Sequence, residues 1–100
     1  GINLPEVLQQ LHPTPAVGGY PTNSAHDLIN DTETFDRGWY AGPVGWIGST
    51  NSEFAVGIRA GVTSGDTLHL YAGNGIVKGS IADEEWAELD QKILQTLNAI

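Results

Sequence analysis

The chain has no cysteine among its 100 residues, which excludes disulfide bonds and thiolate-ligated metal sites. This absence fits a reducing compartment, so we expect a cytoplasmic protein, with a plastid as the alternative in a plant. No apolar run is long enough to cross a bilayer, so no membrane partner is expected. A basic and apolar leader is also missing at the N-terminus, so the sequence predicts no signal peptide.

Basic residues are scarce as well, because four Lys and Arg face twelve Asp and Glu, for a formal net charge of -8. A nucleic-acid-binding surface needs a basic patch, so no nucleic-acid partner is expected. The apolar share of 40% and the three Trp are enough for a folded core, which argues against wholesale disorder. Each of the four cations is therefore a candidate for binding an anion: Arg37, Arg59, Lys78 and Lys92.

The apolar spacing in the first third of the chain predicts two helices joined by a proline-rich loop. Residues 3–11 carry apolar side chains at helical spacing, and the prolines of the loop at residues 13–21 end that helix. A second helix is expected to run from a cap at Thr22 or Asn23 to about Glu33.

The middle of the chain reads as strands. Residues 41–47, 53–62 and 67–77 are rich in Gly, Val, Ile and aromatic residues, which predicts an antiparallel meander of three strands. Residues 82–97 predict a final helix, with Ser80 and Asp83 at the spacing of a capping box. The fold class is therefore α+β, an antiparallel sheet flanked by helices, and its sheet edges need a partner.

Arg59 is the most informative single residue. Alternation along its predicted strand places Ala55, Gly57 and Gly61 on the same face, so a lone cation stands among very small side chains. Such a face leaves room for a ligand or a second backbone, and a guanidinium suits a carboxylate because its fork binds both oxygens. The alternative is an ordinary Arg on the solvent face of a sheet.

Gly73-Asn74-Gly75 falls toward the end of the third predicted strand, and paired glycines let a backbone approach an anion closely. The alternative is a bulge or a tight bend. The pattern is no dinucleotide-binding fingerprint, because no helix begins directly after it and the third glycine is missing.

Glu85 and Glu88 lie three positions apart near the start of the last predicted helix, so they share a face. Two adjacent carboxylates repel unless a cation lies between them, and hard oxygen ligands without Cys favour magnesium over zinc. The alternative is that acidic residues in a first turn only complement the helix dipole. Lys92, four positions after Glu88, is expected to form an ordinary helix ion pair in either case.

His12 lies between the first helix and the proline-rich loop, where it could bond to a ligand, exchange a proton or serve a structural role. His26 and His69 are expected at the surface, and nothing in the sequence pairs them into a metal site. The sequence contains no nucleophile elbow, no phosphate loop and no convincing serine–histidine–aspartate order.

Five stretches of the chain stand out as motifs: residues 11–19, 35–46, 53–59, 71–77 and 85–88. In this order and spacing they resemble isochorismate synthases, a branch of the chorismate-utilising enzymes, and the resemblance runs from about Leu11 to the end of the chain. Five motifs at consistent spacing are far more specific than any one of them. One departure is Asn74, where a small residue such as Ala is more usual in the family.

The resemblance implies a large α+β fold of antiparallel sheets and helices, with chorismate as the substrate. Arg59 would pair with a carboxylate of chorismate, and Tyr40 would lie near it. Gly75 would offer a backbone contact to the same ligand, and His12 would border the substrate ring.

The resemblance also implies a magnesium ion, bound by Glu85 with Glu88 beside it, directly or through water. Family members are much longer than this chain, and the general-base Lys, the general-acid Glu and another magnesium-binding Glu would lie upstream. No catalytic residue is therefore assigned here, and neither Lys78 nor Lys92 is a substitute, because their motifs differ. Residues 1–100 are expected to form the incomplete C-terminal part of a chorismate-binding domain, whose N-terminal part would be its partner.

Within the family, members differ in the nucleophile that they add. His-Pro-Thr-Pro-Ala at residues 12–16 favours the type that adds water at C2 of chorismate with loss of the C4 hydroxyl. Alternatives are an anthranilate, aminodeoxychorismate or salicylate synthase, or a non-catalytic domain that packs through its sheet and self-associates. The pathway stays open between menaquinone, phylloquinone, siderophore and salicylate biosynthesis.

Overall fold

The structure, a computed structural model, describes residues 3–100 and is α+β, which confirms the predicted fold class. Contacts divide the chain into two compact units, Gly1–Gly57 and Ile58–Ile100. The elements of the first unit are α1 (Leu4–Leu11), α2 (Pro15–Gly18), α3 (Thr22–Thr32), β1 (Pro43–Ile47) and β2 (Ser52–Val56). Those of the second unit are β3 (Ala60–Ser64), β4 (Thr67–Tyr71) and α4 (Ala82–Ala99).

Helix α1 confirms the first predicted helix and begins at a side-chain cap. The Oδ1 atom of Asn3 accepts a hydrogen bond from the backbone N–H of Glu6 at 3.3 Å, which satisfies one of the free donors of the first turn. The helix ends at Leu11, directly before His12 and Pro13. Proline cannot continue a helix, so the chain turns away at this point.

A single helical turn, α2, interrupts the predicted loop. Pro15 takes its first position, where a missing N–H group leaves no bond unmade. Gly19 ends the turn with a φ of 82°, a conformation that favours glycine. A Cβ atom at Gly19 would also lie 2.7 Å from the Cβ of Ala25 in α3, so the position admits no larger residue.

Helix α3 confirms the second predicted helix, but the predicted cap is wrong. Thr22 is already the first helical residue and Asn23 the second, while the cap position is held by Pro21 without a side-chain hydrogen bond. Glu33 stands just past the last helical residue, and its backbone N–H still donates to the oxygen of Ile29 at 2.9 Å.

Strands β1 and β2 form an antiparallel hairpin, with Pro43 opposite Val56 at its open end. Ahead of Pro43, the N–H of Ala41 donates to the oxygen of Gly57 at 2.7 Å, and the N–H of Gly57 donates to the oxygen of Gly42 at 2.9 Å. Ala41 is buried and adopts a φ of 65°, so the chain bends sharply before β1 begins.

The predicted meander of three strands is wrong, because residues 3–100 form two sheets of two strands each instead. The predicted strand at residues 53–62 breaks after Val56, where its partner β1 has reached its first residue. The next backbone groups, those of Gly57, bond to the bend at Ala41 and Gly42. Arg59 therefore lies in the bend between β2 and β3, and it is no part of the strand face predicted for it.

In the second unit, β3 and β4 form another antiparallel hairpin, with Ala60 opposite Tyr71. β4 ends at Tyr71, earlier than predicted, and residues 72–77 have no regular structure. Helix α4 confirms the last predicted helix, but the predicted capping box is wrong. The Oγ atom of Ser80 accepts from the N–H of Val77 at 2.9 Å, while Ile81 holds the cap position without a side-chain bond.

Large apolar side chains remain exposed across the described residues. Ala41 is the only apolar residue of the described chain that is buried, whereas the side chains of Trp39 and Trp86 are 81% and 67% exposed. Apolar area of this extent marks surface that contacts another chain segment or protein. Within the described part of the chain, no helix has the length and hydropathy needed to span a membrane.

Candidate functional site

The predicted site residues fall into both units of the chain. His12 and Tyr40 belong to the first unit, and both line one groove on its surface. Arg59, Gly75 and the two glutamates belong to the second unit. There, hydrogen bonds join the loop that precedes Gly75 to the helix that carries Glu85 and Glu88.

The groove of the first unit has a volume of about 950 Å³ and is lined by residues from α3 and the segments on either side of it. His12 enters it from the end of α1, and its Nδ1 atom is buried without a hydrogen-bond partner among the described residues. A buried polar atom left unpaired costs about 1–3 kcal/mol. His12 is therefore placed where a ligand or a neighbouring segment can complete its bonding.

Tyr40 enters the same groove from the bend before β1. Its backbone N–H donates to the oxygen of Arg37 at 3.0 Å, which closes a turn over residues 37–40. The centroid of its ring lies 5.8 Å from the Cζ atom of Arg37, within the range of a cation–π contact. The groove is thus lined by the phenol of Tyr40 and by two imidazoles, those of His12 and His26, all of which can bond to an oxygen-rich ligand.

Arg37 also lines the groove, and the sequence predicted no role for it beyond that of one of four cations that could bind an anion. Its Nη2 and Nε atoms donate to the two carboxylate oxygens of Glu33 at 2.6 and 2.8 Å, and its Nη1 atom donates to the oxygen of Val17 at 3.4 Å. The hydrogen bond from Arg37 lowers the pKa of Glu33, and the same bond raises the pKa of Arg37. Glu33 and Arg37 lie beyond the last residue of α3, so their spacing of four residues is not a helical signal, and no local pattern in the sequence indicates this pair.

Arg59 is exposed, and no hydrogen bond or ion pair holds its guanidinium within the described residues of its own unit. Its position in the bend between β2 and β3 differs from the prediction. A guanidinium that forms no hydrogen bond or ion pair within its own unit nevertheless stays available to bind an anion. The prediction that it binds a carboxylate is thus compatible with its surroundings.

The loop before Gly75 is attached to α4 through two side chains. The Nδ2 atom of Asn74 donates to the backbone oxygen of Glu85 at 2.6 Å. The Nζ atom of Lys92 donates to the oxygen of Gly73 at 2.9 Å and to Oδ1 of Asn74 at 2.6 Å. Gly75 itself is exposed, and a Cβ built on it would have no neighbour within 4 Å, so its backbone stands open to a ligand.

Glu85 and Glu88 lie on one face of α4, as predicted, and the expected ion pair of Glu88 with Lys92 is confirmed at 3.3 Å. Glu85 is half-buried, and the side chain of Glu88 is exposed. Within residues 3–100, no three His, Asp or Glu side chains converge as a ready-made metal cluster. Two carboxylates still fit magnesium, which commonly takes one or two of them and completes its shell with water or substrate oxygens.

The whole chain, residues 1–100, matches the model of a protein family described as chorismate binding enzyme. Over 96 residues it is 46% identical to isochorismate synthase MenF of Bacillus subtilis (strain 168), a match that covers 95% of the chain and 20% of that protein. Over 90 residues it is 53% identical to isochorismate synthase 2, chloroplastic, of Arabidopsis thaliana, with 89% of the chain and 16% of that protein covered.

A further relative is the vibriobactin-specific isochorismate synthase of Vibrio cholerae, which is 41% identical over 95 residues, or 94% of the chain and 24% of that protein. The chain therefore spans between 16% and 24% of the length of these three relatives. Each match covers most of the chain, so the similarity includes both the groove of the first unit and the loop–helix pair of the second.

Proposed function

Because the chain belongs to the family of chorismate-binding enzymes, we propose that a protein carrying it is an isochorismate synthase. The reaction converts chorismate to isochorismate: water adds at C2, and the C4 hydroxyl leaves as a second water once it is protonated. The names of the relatives support this choice over the branches that add ammonia. The general base and general acid would come from residues outside this chain.

The role of the chain is to bind and orient the substrate. The Arg59 guanidinium would pair with a carboxylate of chorismate, and the backbone at Gly75 would bond to the same ligand. Tyr40 and His12 would contact the substrate from the groove that they line. Holding a charged substrate in one orientation lowers the entropy cost of reaching the transition state, which is how such contacts assist catalysis.

Glu85 and Glu88 would hold magnesium, which supplies positive charge next to a carboxylate of the substrate. Glu88 already lies 3.3 Å from the ammonium of Lys92, so this carboxylate faces a cation even before a metal is considered. Its neutralisation by Lys92 limits the repulsion between the two glutamates. The cytoplasm, or a plastid, is the compartment that we propose.

One observation carries the proposal. Three hydrogen bonds made by Asn74 and Lys92 join the glycine loop to α4, and Lys92 also pairs with Glu88 within the helix, so the expected substrate contact at Gly75 and the expected metal ligands lie on one connected structure. A site that binds a carboxylate and its metal ion together needs these two parts at a fixed separation.

The test uses the complete enzyme that carries this segment, incubated with chorismate and an ammonium salt, with magnesium present or removed by a chelator. We expect isochorismate as the product by chromatography and no turnover without magnesium. Glu88→Gln should raise the magnesium concentration needed for half-maximal rate by about 10- to 100-fold. Lys78→Gln, an exposed cation changed by the same amount of charge, should leave the rate unchanged. Anthranilate or salicylate as the product, or full activity without magnesium, would contradict the proposal.

A second candidate is a non-catalytic module that packs on a partner, and the exposed apolar side chains favour it. Arg59→Glu separates the two functions in the complete protein. A substrate contact loses turnover while the thermal midpoint stays within a few degrees of the wild type, because the exposed guanidinium has no partner in its unit to lose. A residue at a protein contact instead loses stability or association, which light scattering measures.

A further inference from the structure

Arg37 joins three separate segments of the first unit. Its guanidinium bonds to both oxygens of Glu33, at the end of α3, and to the backbone oxygen of Val17 in α2. The same group lies over the ring of Tyr40, in the bend before β1.

The contact with Val17 reaches the segment that carries His12. Helix α2 is bonded to the residue after Pro13, because the N–H groups of Val17 and Gly18 donate to the oxygen of Thr14 at 3.1 and 2.8 Å. Gly18 also lies close to Pro13, since a Cβ built on Gly18 would stand 3.0 Å from the Cγ of Pro13. A shift of α2 would therefore move Pro13, and with it the imidazole next to it. Arg37 thus constrains both of the groove side chains that are expected to contact the substrate.

The guanidinium suits this task because of its geometry. It is planar, and its donors are directed in a fixed fork, so bonding two of them to Glu33 fixes the direction of the third. The side chains of Arg37 and Glu33 are 28% and 26% exposed, so solvent screens this pair less than it screens a fully exposed ion pair. A lysine could keep the charge near Tyr40, but it could not hold this geometry.

We propose that Arg37 is a positioning residue, which fixes the ring of Tyr40 and the segment carrying His12 at the substrate groove. The inference rests on the proposed function, in which these two side chains contact chorismate. It adds a residue that contacts no substrate and acts on affinity through its neighbours.

The experiment measures kcat and KM for chorismate in the complete enzyme, with Arg37→Gln, Arg37→Lys and the control Lys78→Gln. Arg37→Gln should raise KM about tenfold with kcat within about threefold of the wild type, because misplaced binding groups weaken substrate binding throughout the reaction. Arg37→Lys should fall between the two, and Lys78→Gln should match the wild type. In a Tyr40→Ala background, the increase in KM caused by Arg37→Gln should be about threefold smaller than in the wild type, because the Tyr40 ring that Arg37 positions is no longer present.

A second measurement separates this inference from the proposed function. In enzyme labelled with 3-fluorotyrosine, the fluorine resonance of Tyr40 is assigned by its loss in Tyr40→Phe, and Arg37→Gln should shift or broaden it while Lys78→Gln should not. If the wild type makes no isochorismate, the proposed function fails, and the resonance alone decides on positioning. An unmoved resonance, a KM within about twofold of the wild type, or an equal loss in both backgrounds overturns the inference. If Arg37→Gln does not fold, Arg37→Lys is judged by the same criteria.

Discussion

Replacing Asn74 with Ala should loosen the glycine loop from α4 in the complete enzyme. The change removes the bond from Nδ2 to the backbone oxygen of Glu85, at 2.6 Å, and the acceptor for the Nζ atom of Lys92, also at 2.6 Å. Lys92 keeps its bonds to the oxygen of Gly73 and to Glu88, so the substitution leaves no buried charge without a partner.

The magnitude follows from the kinds of bond that are lost. A neutral hydrogen bond contributes about 1 kcal/mol net, and a bond to a charged group contributes about 1.5–3 kcal/mol. Asn74 and Lys92 are half-buried rather than buried, so the lower part of that range applies. The loop should therefore open about 2–3 kcal/mol more easily in Asn74→Ala than in the wild type.

Native-state hydrogen exchange is the suitable assay, because it reports local opening without unfolding the rest of a large protein. The backbone amides of residues 72–80 that donate a hydrogen bond, those of Val77 and Ser80, should exchange about 30- to 150-fold faster in Asn74→Ala, which is the stated free energy expressed as a rate ratio. Asn98→Ala is the matched control, since Asn98 is exposed on α4 and bears no side-chain hydrogen bond. Exchange in this loop within about threefold of the wild type would refute the reasoning, because the bonds would then contribute too little to hold it.

Three further predictions concern the first unit and the isolated chain. The pKa of Glu33 is lowered in the folded state, so the ionised carboxylate stabilises the fold fully above its usual pKa of 4.5, and this stability is lost as the pH falls through the folded pKa. The thermal midpoint of the wild type should therefore exceed that of Glu33→Gln at neutral pH and approach it in acid. A difference in midpoint that does not change with pH would contradict this. Gly19→Ala should destabilise the first unit by about 1–3 kcal/mol, because a φ of 82° with a ψ of 172° is a backbone conformation essentially restricted to glycine, and the new Cβ would lie 2.7 Å from the Cβ of Ala25. Denaturant unfolding measures this loss, which should exceed that of Gly65→Ala, where an added Cβ meets no neighbour, and equal losses would contradict the prediction. Expressed alone, the 100-residue chain should form no isochorismate above background, and any measurable formation would mean that the base and acid lie within it.

The helices were the predictable part of this fold, because each carries its own signal. Leu4–Leu11 and Ala82–Ala99 show apolar residues at helical spacing, and a proline or a turn bounds each of them. The relation of Glu85 to Glu88, and of Glu88 to Lys92, follows from helical spacing alone and needs no knowledge of the rest of the molecule.

The strands were less predictable, because pairing partners decide where a strand ends. Alternation runs without interruption from Phe54 to Val62, so nothing local marks the break after Val56. The break arises from the bend at Ala41. The N–H of Ala41 donates to the oxygen of Gly57, so Gly57 bonds to a bend instead of to a neighbouring strand. This contact joins residues sixteen positions apart, which a periodic pattern within one strand does not report.

The break after Val56 changes the reason for assigning Arg59 a role, although it leaves the assignment itself untouched. The prediction from the sequence relied on a strand face of small residues around Arg59, and Arg59 lies in no strand of the structure. What remains is the resemblance of residues 53–59 to the family motif and the absence of a partner for the guanidinium within the described part of its unit. Arg59 is therefore supported by availability for an anion, whereas Arg37, which is fully engaged by Glu33 and Val17, is unsuited to that task.

Asn74 shows how a departure from a family pattern can be compatible with the site next to it. A polar side chain beside the expected carboxylate contact would obstruct a ligand if its amide pointed toward it. The amide instead bonds to Glu85 and Lys92, which uses both its donor group and its acceptor on the α4 side of the loop. The backbone at Gly75 then stays open, with no atom within 4 Å of where a Cβ would stand. With a smaller residue at position 74, Lys92 alone would hold the loop to α4, through its bond to Gly73. Asn74 adds its own hydrogen bond to the backbone of Glu85, so it strengthens the attachment of the loop without occupying the space of the ligand.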